Sequence, residues 1–162
     1  MKKILTTLAV FVAIMAAVPS VAQNVPRLNR GVGPMMEGTV AMSQLPKDAR
    51  KFIDRNFKDA RVVKAELDAA DSRYEVEFSD GIDLEFDLSG HWTEMDAPDG
   101  TTFSAELMKH VLPRKIYKAL EKQGVQALVE SVETKDYDVH RVKVNAGGRD
   151  KKYDIDSKGR IR

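Results

Sequence analysis

Two stretches of the chain show the same order of patterns, an apolar stripe at helical spacing followed by alternating apolar and polar residues. The first helix is predicted after Leu45-Pro46 and the second after Leu112-Pro113, with proline in the first helical position, where its missing N–H costs nothing. The apolar stripes comprise Ala49, Phe52, Ile53 and Phe57 in the first stretch, and Ile116, Ala119 and Leu120, ending at Gly124, in the second. Both helices are therefore expected to be amphipathic and to cover a core.

After each helix the period changes to two, which predicts strands. The inward positions of the first stretch are Val63, Ala65 and Leu67, then Tyr74, Val76 and Phe78, then Ile82, Leu84, Phe86 and Leu88. Trp92 and Met95 indicate a fourth short strand after the turn at Gly90. Between the second and third strands we predict a three-residue loop, Ser79-Asp80-Gly81, because only that length keeps the apolar side chains of both strands on one face.

The two stretches are related by one offset: Leu45 and Leu112 lie 67 residues apart. At the same offset Glu66 meets Glu133, and Phe86-Asp87-Leu88 meets Tyr153-Asp154-Ile155. Such self-similarity indicates a repeat. We therefore predict an α+β fold of two tandem repeats, residues 45–98 and 112–162, each a helix packed on a roughly four-stranded antiparallel sheet. Residues 99–111 are the expected linker, partly helical.

These motifs carry a family resemblance. The chain resembles the PepSY-like, β-lactamase-inhibitor-protein-like family of small periplasmic proteins of Bacteroidetes through the Leu-Pro helix and the motifs Tyr74-Glu-Val-Glu-Phe78, Asp80-Gly81, Leu84-Glu-Phe-Asp87 and Gly90-His-Trp92. The resemblance covers residues 45–162, although Arg160-Ile161 stands where the first stretch has tryptophan. It implies an antiparallel sheet with a helix on one face in each repeat, a binding or inhibitory role, in some members a link to calcium, and no catalysis.

The first 22 residues have the pattern of a signal peptide. Lys2 and Lys3 precede an apolar stretch of about fifteen residues, which is shorter than the roughly 20 needed to span a bilayer. We expect cleavage after Ala22, a periplasmic location with secretion to the medium as an alternative, and no membrane insertion afterwards. Residues 23–44 contain three glycines and two prolines without periodicity and are expected to form a flexible N-terminal segment.

Composition removes several classes of function. The chain has no cysteine, which excludes disulfides, thiolate zinc sites and a cysteine nucleophile. Its three histidines, His91, His110 and His140, lie in no known catalytic arrangement, and we expect them to be solvated surface groups. We therefore predict a protein that is not an enzyme and has no cofactor, apart from a possible calcium ion. The formal net charge of +1 does not by itself select a partner.

The predicted register brings carboxylates together on the polar side of the first sheet. Glu77 lies opposite Asp83 and Glu75 opposite Glu85, while Arg73 faces Asp87; like charges directly across strands lower stability. Solvation with salt screening, neighbouring lysines, a bound cation or a basic partner could each compensate. If calcium binds, the expected ligands are Asp83, Glu85 and Asp87 with Glu75 and Glu77.

The second stretch has the opposite charge. Residues 45–98 carry 8 basic and 14 acidic residues, whereas residues 112–162 carry 13 basic and 8 acidic ones, with Arg141, Lys143 and Lys152 at outward positions. We therefore predict a protein-binding or inhibitor-like module that acts through exposed sheet faces and the turn at His91 and Trp92. The alternatives are a calcium-responsive envelope protein and a self-associating structural protein, so a homo-oligomer stays open. Nucleic acid is not an expected partner.

Overall fold

The computed structural model describes residues 38–136 and 138–162. The predicted signal peptide and residues 23–37 of the predicted flexible segment lie outside these ranges. The strands in the described ranges are β1 Gly38–Thr39, β2 Val62–Asp68, β3 Arg73–Phe78, β4 Asp83–Asp87, β5 Trp92–Asp96, β6 Val129–Asp136, β7 Val139–Asn145 and β8 Asp150–Asp156. The helices are α1 Lys47–Asn56, α2 Ala105–Val111 and α3 Arg114–Gln123, with a short 3₁₀ helix at Met42–Gln44.

The strands form one antiparallel sheet in the order β1 to β8, so that each strand pairs with its neighbours in sequence. The α+β class is confirmed, but the prediction of a separate sheet for each repeat is wrong. Strand β5 pairs with β6 over three residue pairs, Glu94–Asp96 against Ser131–Glu133, and this joins the two halves. The physical reason is that each half-sheet alone would leave the N–H and C=O groups of an edge strand without partners.

Both predicted amphipathic helices are present and cover the same face of the sheet. Their buried residues, Ala49, Ile53, Ile116, Ala119 and Leu120, are members of the predicted stripes. Pro46 and Pro113 occupy the N-cap and not the first helical position. The predicted linker contains a full helix, α2, whose N-cap Ser104 accepts a hydrogen bond from the Leu107 N–H at 3.1 Å. The core therefore lies between three helices and one sheet face.

The hairpin register predicted for β3 and β4 is confirmed. Val76 pairs with Leu84, the Phe78 N–H donates to the Ile82 carbonyl at 2.9 Å, and Gly81 has a φ of 82°. Val63, however, does not face the core: a bulge between Val62 and Lys64 leaves its side chain 49% exposed. The alternation in the sequence could not show this bulge, because Val62 and Val63 are both apolar.

Residues 38–44 carry regular structure at the end of the segment that the sequence pattern described as flexible. Strand β1 pairs with β2 through Gly38–Leu67 and Thr39–Glu66. The 3₁₀ helix follows, and the Gln44 side-chain oxygen accepts a hydrogen bond from the Ala41 N–H at 2.8 Å. Backbone hydrogen bonds to β2 hold these residues in regular structure. The sequence pattern did not predict this, because the segment has no apolar periodicity.

Two turns of the same kind end β4 and β8. The Asp87 Oδ1 accepts hydrogen bonds from the N–H groups of Ser89 and His91 at 2.8 and 2.9 Å. The Asp156 Oδ1 accepts from those of Lys158 and Arg160 at 2.9 and 3.0 Å. Asp87 is thus equivalent to Asp156, and the predicted match of Asp87 with Asp154 is wrong in register. Because the loops between the strands differ in length in the two halves, equivalent residues are not always 67 positions apart. That the two halves arose by duplication stays a prediction.

Each of these turns packs its glycine against the start of a helix. A Cβ atom at Gly90 would lie 2.7 Å from the Pro46 Cβ and 2.8 Å from the Ala49 nitrogen, and one at Gly159 would lie 2.8 Å from the Lys115 carbonyl oxygen. Both glycines have a positive φ, 90° and 79°. Only glycine therefore combines the turn conformation with this close approach, and the turns fix the positions at which α1 and α3 begin.

The close contact at Gly90 predicts a measurable loss of stability. We expect Gly90→Ala to lower the free energy of unfolding by more than about 1 kcal/mol, because it combines an unfavourable φ with a clash against backbone and proline atoms. Gly100→Ala is the matched control, since Gly100 has a φ of 73° and nothing within 4 Å of the added Cβ. Urea unfolding of both variants measures the difference. Equal losses would mean that the contact with α1 contributes nothing.

Candidate binding surface on the open sheet face

The face of the sheet opposite the helices is not covered by any described element, and its side chains are polar. Alternation along the strands places every second residue there, because Ala65, Val76, Leu84, Met95 and Val132 point into the core. The joined sheet carries these outward positions from β2 to β8 without interruption. The two halves of the chain therefore present one surface and not two.

A line of five glutamates crosses this face, one from each of five adjacent strands. The registered pairs are Glu66–Glu75, Glu75–Glu85, Glu85–Glu94 and Glu94–Glu133. We call Glu66, Glu75, Glu85, Glu94 and Glu133 the glutamate row. Directly opposed residues in antiparallel strands are close neighbours, so each glutamate meets another carboxylate on at least one side.

A second line of carboxylates runs beside the row on its β3 to β5 section. Glu77 pairs with Asp83, and Asp83 pairs with Asp96. Asp83 and Asp96 also line a groove of about 500 Å³ at this end of the sheet, together with Asp99, Glu130 and Lys143. The centre of the open face is therefore an array of acidic groups next to a recess that could accept a side chain.

Positive charge contacts the glutamate row at its two ends, on β2 and β3 and on β6, where the Lys135 Nζ lies 2.6 Å from the Glu133 Oε1. The Arg73 Nη2 lies 2.9 Å from the Glu75 Oε1, and its Nε lies 3.6 Å from the Glu85 Oε1. The Lys64 Nζ lies 2.9 Å from the Glu66 Oε2. Within residues 38–136 and 138–162, no basic group approaches within 4.0 Å of the carboxylates of Glu77, Asp83, Glu94 or Asp96. Asp96 accepts a hydrogen bond from the Ser131 hydroxyl, and the carboxylates of Glu77, Asp83 and Glu94 are left to solvent or to a ligand.

Burial and mutual repulsion raise the pKa of the central acids. Partial burial, then the charges of Asp96, Glu85 and Glu133, raise the pKa of Glu94 to about 7. Burial is also the main cause of the raised pKa of Asp96, with the Asp83 charge next, and of the raised pKa of Glu85, where Arg73 acts in the opposite direction. The face thus holds a carboxyl group that changes charge near neutral pH.

The basic residues predicted as a second patch lie on the same face, beyond β6, and most of their charge is already paired. Arg141 makes a two-fold contact with Asp154, both N–O distances being 2.8 Å. The Lys143 Nζ lies 3.0 Å from the Glu130 Oε2 and 2.9 Å from the Asp150 Oδ2. Lys152 is exposed beside Lys143. The acidic and basic residues therefore form two ends of one surface.

His91 and Trp92 do not belong to this surface. The Trp92 ring faces the helices, stacked on Phe52 with 6.1 Å between ring centroids, while His91 is exposed in the turn and its Nδ1 lies 3.3 Å from the Asp87 Oδ2. His140 is half-buried beside Trp92, and burial lowers its pKa. The prediction of a solvated surface histidine at position 140 is thus wrong, because His140 sits at an inward position of β7.

Four members of the acidic array, Glu66, Glu94, Asp96 and Glu133, were not among the residues predicted from the hairpin. Glu94 and Asp96 lie on β5, and Glu133 lies on β6, so their proximity to Glu85 depends on the pairing of β5 with β6. The sequence did contain one signal, because Glu133 stands 67 residues after Glu66 and so at a matched outward position.

The described part of the chain contains neither a cluster of metal-binding side chains nor a helix that could span a membrane. No group of three or more His, Asp or Glu side chains is arranged to hold a metal ion there. No helix among the described residues is long and apolar enough to cross a membrane. The segment Asp154–Gly159, which superficially resembles the start of a calcium loop, is the end of β8 and its turn, where the Asp156 carboxylate is used by backbone N–H groups and Arg160.

A meandering antiparallel sheet with helices on one face and an open polar face defines a class of small α+β module. The chain belongs to the family described as "Putative beta-lactamase-inhibitor-like, PepSY-like", whose sequence model matches residues 34–77 and 72–162. The family resemblance expected from the sequence is therefore confirmed.

Solved structures of Bacteroides proteins share the fold. One is a "putative calcium-regulated periplasmic protein" of Bacteroides thetaiotaomicron, 25% identical, with a TM-score of 0.60, covering 78% of this chain and 94% of that one. A "putative periplasmic protein" of Bacteroides vulgatus is 24% identical, with a TM-score of 0.60 and coverages of 80% and 97%. A second protein of that species, of unknown function, is 22% identical, with a TM-score of 0.60 and coverages of 78% and 97%. No curated protein matches the sequence.

The raised pKa of Glu94 predicts a pH dependence of stability. The folded protein holds this proton up to about pH 7, whereas an ordinary glutamate releases it near 4.5, so the stabilising contribution is complete below 4.5 and is lost as the pH rises through about 7. We expect Glu94→Gln to raise the melting temperature at pH 8, where the repelling charge is removed, and to have a smaller effect at pH 5. Thermal melts at constant ionic strength measure this.

The control for this experiment is Glu121→Gln, which removes an exposed carboxylate on α3, away from the open face. It should leave the pH profile of the melting temperature unchanged. An identical profile for wild type and Glu94→Gln would show that Glu94 does not titrate near neutral pH.

Proposed function

We propose that the protein is a periplasmic, non-catalytic binding module whose acidic sheet face binds a positively charged surface of a protein partner. The observation that carries the proposal is the glutamate row with its neighbours: carboxylates from five adjacent strands are held together, and those of Glu94 and Asp96 have no basic group within 4.0 Å among the described residues. The periplasmic location of the relatives supports the compartment.

The energetics favour a cationic ligand. A lysine or arginine placed between Glu85 and Glu94 would oppose the partial burial and the carboxylate repulsion that raise their pKa values, and proton release from Glu94 would accompany binding near neutral pH. A surface of one sign also accelerates the approach of an oppositely charged partner. The groove bounded by Asp83 and Asp96 offers a recess for a long basic side chain.

The rigid sheet suits recognition of a folded surface. The five strands of the glutamate row pair continuously, so their carboxylates are presented at fixed spacings without ordering a loop. Preorganised groups lose little conformational entropy on binding. The paired cations of Arg141 and Lys143 at the other end of the face would exclude a uniformly basic partner and give the complex one orientation.

Charge reversal tests the proposal. We expect the double variant Glu85→Lys and Glu94→Lys to lose the partners that wild type retains from an envelope extract, and to bind a purified partner about tenfold more weakly or worse, because buried or central charge contacts dominate such interfaces. The control is Glu106→Lys with Glu121→Lys, which makes the same change in net charge on exposed helical positions. Melting temperatures confirm that both variants fold.

The outcome that contradicts the proposal is retention of the same partners, with the same affinity, by the Glu85→Lys and Glu94→Lys variant. Light scattering on the same samples at low and high salt addresses self-association, since binding between the acidic and basic ends of two copies would weaken with salt.

Calcium is a second candidate ligand, and it is favoured by the calcium-regulated relative at 25% identity together with the carboxylate array. Calcium takes six to eight oxygen ligands, so the glutamates would have to move toward each other on binding. The role would then be that of a calcium-responsive envelope protein.

Thermal melts distinguish this candidate. If calcium binds the folded state alone, millimolar calcium should raise the melting temperature by several degrees over a chelator-treated sample, and the gain should be absent in the Glu85→Lys and Glu94→Lys variant. An equal gain from magnesium would indicate charge screening, and an unchanged melt would exclude a calcium site.

A further inference from the structure

A second recess lies on the helix side, where the two halves of the sheet meet. Pairing between β5 and β6 begins at Glu94–Glu133 and does not include Trp92 or Thr134. Above this unpaired end, α1 faces the junction of α2 and α3, and a pocket of about 440 Å³ remains between them. We call it the seam pocket; its size falls within the range of small-molecule sites.

The floor of the seam pocket is aromatic. Trp92 stacks on Phe52 with an interplanar angle of 30°, and the His140 ring lies 5.9 Å from Trp92, tilted by 58°. Trp92 is only partly buried, so its ring offers a flat surface to a ligand. Planar rings gain from stacking beyond the area they bury.

One polar group in the floor lacks a partner. The His140 Nδ1 is buried and makes no hydrogen bond to any described residue. A buried ring nitrogen without a partner is uncommon and costs stability, and burial keeps this imidazole neutral by lowering its pKa. This nitrogen is sealed from solvent, so a ligand in the pocket could contact His140 only through other atoms of the residue.

The rim of the seam pocket is mainly cationic. Lys51 and Arg55 lie one turn apart on α1, and both are exposed. Asp48 lies 3.2 Å from Lys51, whereas Arg55 forms no ion pair with a carboxylate in the described part of the chain. The guanidinium group of Arg55 is therefore available for a carboxylate, which it can bind through two parallel hydrogen bonds.

From these features we propose that the seam pocket binds a small planar aromatic carboxylate, with its ring on Trp92 and its carboxylate at Arg55. The site is separate from the acidic sheet face, and it accepts the opposite charge. Its ligand does not depend on any protein partner of that face.

The only tryptophan in the chain makes the test direct. With 2-naphthoate as the probe, we expect the indole N–H resonance of Trp92 to shift on titration and calorimetry to give a matching dissociation constant. Arg55→Gln should weaken binding about tenfold, the loss expected for one charge-assisted contact. The control Lys122→Gln, on the exposed side of α3, should bind as wild type does.

Three results would overturn the proposal. The first is an indole resonance that does not move at millimolar 2-naphthoate. The second is equal binding of neutral 2-naphthamide together with no effect of Arg55→Gln, which would remove the carboxylate from the assignment. The third is a shift caused by an acidic peptide ending in phenylalanine but not by 2-naphthoate, which would make the occupant a protein segment.

Discussion

The pairing of β5 with β6 is the interaction on which the surfaces of this protein depend. Three residue pairs bring Glu94 beside Glu133 and convert two half-sheets into one. Without that junction the glutamate row would end at β5. The same junction ends before Trp92 and Thr134, and it thereby leaves the seam pocket open on the opposite face. One short ladder of hydrogen bonds thus shapes both candidate sites.

On the open face, the pKa values of the carboxyl groups differ with burial and with the charge of their neighbours. On β7 and β8, Arg141 and Asp154 satisfy each other, and the contact lowers the pKa of Asp154. On β4 and β5, partial burial and then neighbouring carboxylates raise the pKa values of Glu85 and Glu94. Charged groups that pair with each other, such as Arg141 and Asp154, stabilise the fold. Carboxylates that lie mainly among other carboxylates, such as Glu94, can gain binding energy from a cationic ligand.

Local rules predicted much of the fold. The two amphipathic helices follow from spacing, and the β3–β4 register follows from loop length and alternation, which fix each other over a few residues. The opposition of Glu75 with Glu85 and of Glu77 with Asp83 was therefore predictable. The bulge at Val63 was not, because two adjacent apolar residues fit either register.

The errors concern contacts between distant parts of the chain. Nothing in the alternation of β5 specifies that β6 will be its neighbour, so the extension of the acidic array to Glu133 was not foreseen. The burial of His140 depends on Trp92, which lies on the other half of the sheet. A histidine at a strand start is polar in the sequence, and only its tertiary neighbours make it an inward residue.

The order of the strands has a consequence for how the protein is made. Every ladder joins strands that follow each other along the chain, and within each half of the sheet, β2 to β5 and β6 to β8, the connecting loops have only a few residues. Short loop closures cost little chain entropy, and folds rich in such neighbours form quickly. Each half of the sheet can therefore grow one hairpin at a time, whereas the edge of β5 stays exposed until residues 97–128, which contain α2 and α3, have been made and β6 can pair with it.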